Sequence, residues 1–351
     1  MNDNGSQTDR LTEVTAELLE TGVADDFGAL YSPDGKFLII GNSCETDIYY
    51  IKEGTEIICD FAFSDSEVNK VVIPSTVTAI GAIPFERNRI DEIESNSSRF
   101  VVQDGMLIDL QEDRLVSYVG KAKKVVVPDS IRMIGDSAFA EEGVNDGSIT
   151  TVVLPANLTC IGDCAFEGCE CLESINLPST LTTIGNGVFA GCYSLPTDFT
   201  IPASVVNMGD NPFAFMNNIQ SDSSRFIVMD NLLIDTMDGR LVTCFGDEKH
   251  VVLPNMVKYI GTDAFEGGPS VATIVIPSWI EGLEKADFWD YKCFEKAIIP
   301  KECMMKFKEM LPEKLWGKLD DGTSSQESDS LSHDESNLSF FKRIIRLLLG
   351  Y

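Results

Sequence analysis

The chain has 351 residues, 44% of them hydrophobic, and a formal net charge of −29. That length holds two ordinary domains or one long repeat array, and the apolar content excludes global disorder. The acidity argues against nucleic acid as a partner, because phosphate recognition needs clustered Lys and Arg, and it favours solubility.

Taken in chain order, residues 1–29 read as an N-terminal cap. Leu11, Val14 and Leu18 stand at helical spacing, which predicts a short amphipathic helix over residues 9–22. The first ten residues carry no apolar leader or lipidation motif, and no stretch approaches the ~20 apolar residues of a membrane span. These features predict a cytoplasmic chain with reduced cysteines.

From residue 30 to residue 316 the sequence is periodic. Pro155 is followed by Ile161, Gly162, Ala165 and Phe166. The same offsets follow Pro128 (Ile134, Gly135, Ala138, Phe139) and Pro254 (Ile260, Gly261, Ala264, Phe265). Pro178, Pro74 and Pro202 open close variants. Worn copies start at Lys52 and Pro277, and Pro300 opens a last, degraded one. The unit is about 23 residues, with two gaps of double length. Related segments fill both gaps. Ser97-Ser98-Arg99-Phe100 recurs as Ser223-Ser224-Arg225-Phe226, and Leu107-Ile108-Asp109 as Leu233-Ile234-Asp235. With Asp104-Gly105 and Asp238-Gly239 as turn signals, each predicts a strand-turn-strand insert.

Each unit has a physical logic. Before the proline the pattern alternates, as in Ile175-Asn176-Leu177, which predicts a short strand with one face inward. Proline ends the strand because it has no N–H to donate. Glycine supplies either a positive φ or a close approach of the next coil. One phenylalanine per unit predicts an internal ladder of rings, buried only when units stack.

The stretch Leu172-Glu173-Ser174-Ile175-Asn176-Leu177-Pro178, followed by the Ile-Gly and Ala-Phe pairs, resembles the BspA-like leucine-rich repeat. The resemblance covers about residues 30 to 311. It implies a leucine-rich-repeat solenoid, strand-rich with few helices, with parallel strands on a concave face. It also implies adhesion or protein binding, found in host-associated bacteria and some protists, often at the cell surface.

Candidate chemistry is sparse. Cys160, Cys164, Cys169, Cys171 and Cys192 cluster, but spacings of C-x₃-C, C-x₄-C and C-x-C match no zinc knuckle pair. Cys169 and Cys192 each lie three residues past a repeat phenylalanine, so packing in successive coils is the expected role. His250, the one histidine in the repeats, falls on an outward strand position with no nucleophile pattern beside it. Asp104 and Asp109 do not have the spacing of an EF-hand loop. No catalytic residue, metal or cofactor is expected.

The expected binding residues are the outward strand row, two places before each proline: Val72, Val126, Val153, Asn176, Thr200, Val252 and Val275. A row of valines marks either an interface or simple β-propensity. The partner class expected is a protein. Residues 317–337 read as an acidic, Ser-rich linker. Residues 338–351 then form a basic amphipathic segment. Phe341, Ile344, Ile345 and Leu348 make its apolar stripe, and Lys342, Arg343 and Arg346 its charge. It suits docking on protein, in this chain or another, or contact with an anionic membrane, and a scaffold acting through it is the second reading.

Overall fold

The computed structural model describes residues 9–322 apart from 43, 45, 86–89, 141–148, 197, 217, 247–248, 266–270, 284–294 and 311–312. The linker beyond 322 and the C-terminal segment 338–351 lie outside the described residues. The chain divides into two compact units, Met1–Pro196 and Thr197–Tyr351.

In the first unit the coils stack through two rows of parallel strands. The first row holds the strands before the prolines: Ile48–Tyr50, Lys70–Ile73 and Glu92–Ser95 pair in one sheet, and Lys124–Val126, Thr151–Val153 and Ser174–Ile175 in another. The second row is built from the Ile-Gly signature. Ile57–Ile58 and Ala79–Ile80 pair there, as do Met133–Ile134, Cys160–Ile161 and Thr183–Ile184. Sequence periodicity marked one strand per unit and read the second as a turn. Two residues are too short to show alternation, and pairing with the next coil is what makes them a strand.

Between the rows, each proline starts a tight turn. The amides of Val77, Ile131, Leu158 and Leu181 donate to the carbonyls of Pro74, Pro128, Pro155 and Pro178. The turn drops that aliphatic side chain into the core, where all four are buried. After the second row, the glycine is needed for close approach rather than for positive φ. A Cβ on Gly162 would lie 2.3 Å from Asp136 Oδ1 and 2.8 Å from the Asp136 amide nitrogen. The left-handed residue comes two places later, at Ser137 (φ 50°), Cys164 (φ 53°) and Gly187 (φ 56°). The phenylalanine ladder follows: Phe139–Phe166 centroids are 5.0 Å apart and Phe166–Phe189 5.5 Å, with rings within 7° of parallel.

The inserts are three-stranded antiparallel meanders whose last strand joins the second row in parallel. Phe100–Gln103, Met106–Asp109 and Arg114–Tyr118 form one, and Arg114–Tyr118 then pairs with Met133–Ile134. Consecutive left-handed residues, Asp104 (φ 51°) and Gly105 (φ 79°), turn its first hairpin. The repeated Ser-Ser-Arg-Phe segment clamps it. Arg99 grips the buried Asp109 carboxylate through Nε at 2.8 Å and Nη2 at 2.6 Å, and its Nη1 donates to the Thr78 carbonyl at 2.7 Å. Ser97 Oγ donates to the Val77 carbonyl at 3.0 Å. Asp109 is therefore an ion-pair partner and not a calcium ligand.

A further meander, Val23–Ala24, Leu30–Tyr31 and Phe37–Ile40, precedes the first coil and also feeds the second row. The sequence did not mark it, because only Asp34-Gly35 survives of the insert pattern. It runs across the expected boundary between residues 29 and 30. The single helix expected over residues 9–22 is instead two short ones, Asp9–Thr12 and Ala16–Thr21. Thr15 breaks the run by capping the second helix, accepting from the Leu18 amide at 3.2 Å, and Leu11 is left exposed.

In the second unit, Phe226–Met229, Leu232–Asp235 and Arg240–Cys244 repeat the meander, with Arg225 paired to Asp235 at 2.8 Å. Its first-row strands are Thr200–Ile201 and Gln220–Ser221 in one sheet, and His250–Val252, Thr273–Val275, Lys296–Ile298 and Leu319–Asp320 in another. The degraded copy after Pro300 does not form a second-row strand. It becomes a helix, Met304–Met310, which puts Phe307 into the core and packs Met304 against it. Leu319–Asp320 carries the first row past residue 317, where the linker was expected to begin.

Candidate binding surface

The outward positions of the first row make ladders across the first unit. Tyr50, Val72 and Glu94 are in register, as are Ile48, Lys70 and Glu92. In the neighbouring sheet Lys124, Thr151 and Ser174 are in register, and Val126 faces Val153. Tyr50 is 67% exposed, Val126 57%, Ile48 42% and Val153 36%. These four are the apolar surface that the strand row presents to solvent in this unit.

The remaining expected residues behave otherwise. Val72 is buried. Lys70 shares its face and reaches Glu94 at 3.0 Å and Glu92 at 2.8 Å, so its methylene stem crosses beside Val72. The two carboxylates hold the Lys70 ammonium pKa well above its ordinary value. Asn176 is exposed, but its amide is engaged. It accepts from the Leu154 amide at 2.8 Å and donates to the Leu154 carbonyl at 3.0 Å, so the side chain takes the place of a ladder rung. In the second unit Thr200 and Val252 are half-buried and Val275 is buried. The simple rule that a residue two before proline faces solvent thus fails at Val72 and Val275 and holds only in part at Thr200 and Val252. Ile48, which the sequence reading did not single out, is found by continuing the alternation two places back along the same strand. Phe341, Lys342, Arg343, Ile345, Arg346 and Leu348 lie outside the described residues.

The other candidates have structural roles. Cys169 Sγ donates to the Phe139 carbonyl at 3.2 Å and Cys192 Sγ to the Phe166 carbonyl at 3.1 Å, both buried, each bonding one coil to the coil before it. Burial pushes the Cys160 thiol up to about 11, with Asp136 and Asp163 adding to the shift, so it is held as the thiol. Among the described residues no group of three His, Cys, Asp or Glu is placed to hold a metal ion. No described helix is long and apolar enough to cross a membrane. His250 is exposed at the start of its strand.

Two rows of parallel strands, a proline turn, a glycine contact and a phenylalanine ladder define a strand-rich leucine-rich-repeat solenoid. The family model for the BspA type leucine rich repeat region matches in six copies over residues 42–145, 144–225 and 243–310, and the chain belongs to that family. Among solved structures it is similar to the pneumococcal vaccine antigen PcpA. Identity is 17% over 79% of this chain and 66% of that one, with a TM-score of 0.44. A leucine rich cell surface protein from Faecalibacterium prausnitzii is 20% identical over 75% of this chain and 72% of its own, with a TM-score of 0.40. A leucine-rich repeat protein from Bacteroides ovatus is 21% identical, covering 79% and 68%, with a TM-score of 0.38. No curated protein sequence matches.

Proposed function

We propose that this chain is a non-catalytic protein-binding module that engages its partner through the outward strand face of the first unit. The observation that carries the reading is the set of exposed side chains Ile48, Tyr50, Val126 and Val153 on a strand face of an acidic chain. Exposed apolar side chains along a strand face are the feature by which an interface is recognised. A rigid face fits the role, because contacts made from paired strands need no ordering on binding. The family's association with adhesion and binding points the same way. The absence of a recognisable nucleophile-base pair in the sequence also supports it.

The test is affinity capture with the wild-type chain beside Tyr50→Glu/Val126→Glu/Val153→Glu, whose positions leave the core intact. Native-cell lysate and host-cell extract are run separately, which distinguishes a cytoplasmic partner from one met at the cell surface. A partner held by wild type and lost by the folded variant sustains the reading. Equal retention by both baits rejects it.

A further inference from the structure

Part of the outward strand face of the second unit, around Thr273, Val275 and Ile298, is covered, whereas Val126 and Val153 stand open in the first. On the strand Thr273–Val275, Ile274 enters the core, so Thr273 and Val275 face outward. Yet Thr273 is 3% exposed, Val275 2% and Ile298, on the next strand, 7%. Val275 and Ile298, with Val252 packed against them, make an apolar cluster of their own, separate from the core. Val126 and Val153 hold equivalent positions in the first unit and stand open. Lateral neighbours within a sheet hide only part of an outward side chain, unless a long one crosses it as Lys70 does beside Val72. Near-complete burial on both faces requires a second layer. Among the described residues, Val252 is the apolar side chain packed on this cluster.

We propose that residues 338–351 of the same chain form this layer. The described chain leaves at Gly322, directly after Leu319–Asp320, which pairs with Lys296–Ile298. That exit is within roughly 10 Å of Thr273–Val275 at ordinary strand spacing. Residues 323–337 reach roughly 50 Å when extended, so the connection closes easily. The segment carries the apolar stripe Phe341, Ile344, Ile345 and Leu348, which suits a face of Val252, Val275 and Ile298. Asp320, in register with Ile298 and already paired with Lys296 at 3.5 Å, and Asp321 beside it are the carboxylates that its cations Lys342, Arg343 and Arg346 would meet. The segment is thus a built-in layer over the patch of Thr273, Val275 and Ile298. It stands whether or not the first unit binds a partner as proposed above.

The experiment replaces Phe341 by p-benzoylphenylalanine in the full chain. Equal amounts of isotopically light and heavy protein are mixed and irradiated, and the cross-links are mapped by mass spectrometry. The expected result is cross-links to residues 250–252, 273–275 or 296–298, in light–light and heavy–heavy pairs alone, lost in Ile345→Asp/Leu348→Asp. These substitutions lie outside the repeat coils, and circular dichroism checks that the coils are unchanged. Cross-links elsewhere, none at all, mixed light–heavy pairs, or persistence in the Asp variant would each overturn the proposal.

Discussion

Ser137 shows how a repeat carries a local cost at a fixed place. Its coil position is left-handed (φ 50°), and its buried hydroxyl has no hydrogen-bond partner. The next coils fill the same position with Cys164 and Gly187. A side chain in this region costs about 1 kcal/mol, and a buried unsatisfied hydroxyl adds to that. Ser137→Gly should therefore stabilise the chain by about 0.5–1 kcal/mol, read as a rise in the urea midpoint at constant m. A fall in the midpoint would contradict this account. Gly162 has the opposite sign. Its Cβ would meet the Asp136 backbone of the previous coil, so Gly162→Ala should cost about 1–3 kcal/mol by overpacking. Sequence reading left two roles open for this glycine, because both demand the same residue. Only the stacked neighbour distinguishes them.

Buried phenols and thiols make a residue-scale prediction about pH. Burial, the largest cause, pushes Tyr31 from an ordinary 10.0 up to about 12, and Cys44 and Cys59 from 9.0 up to about 12. In each the folded state favours the protonated form, so the folded chain binds more protons than the unfolded one above pH 9. The stability these groups contribute is fully present below pH 9 and is lost as pH rises towards 12. Urea midpoints measured from pH 8 to 12 should fall across that window, and Tyr31→Phe should lessen the fall between 10 and 12. A flat profile would show that these groups are not shielded in solution.

Among the elements, the two internal meanders each depend on an arginine paired to a buried aspartate. Asp109 is fully buried and Arg99 half-buried, with the guanidinium also 5.1 Å over the Phe100 ring. Removing one partner strands the other charge, so Arg99→Met should destabilise by about 3 kcal/mol or more. Arg99→Met/Asp109→Leu should recover much of that loss. A double variant no more stable than Arg99→Met alone would mean that the pair is not the clamp. The recurrence of Ser-Ser-Arg-Phe was legible in sequence, but its purpose was not. The Asp partner lies ten residues away, and the carbonyls that Arg99 and Ser97 bind belong to the preceding coil. The N-terminal meander was hidden for a related reason. Its register is set by pairing to the strand Ile57–Ile58, and pairing leaves little mark on composition.

Stability of the whole molecule comes from contacts between successive coils, as the phenylalanine ladder and the Cys169 and Cys192 bonds illustrate. A lesion such as Gly162→Ala should therefore raise amide hydrogen exchange in the flanking coils, residues 128–139 and 178–189, and leave residues 232–276 unchanged. Uniform acceleration over both units would imply one cooperative core instead. The sequence by itself determined the repeat length, the inward positions, the family and the places of the two internal inserts. Each of these follows from residue type at fixed spacing, which is local information. The tertiary structure alone decided which outward positions are open. Val126 and Val275 stand at the same offset from their prolines, yet one is exposed and the other buried. Exposure depends on what lies across the sheet, and a residue's own neighbours in the chain do not encode it.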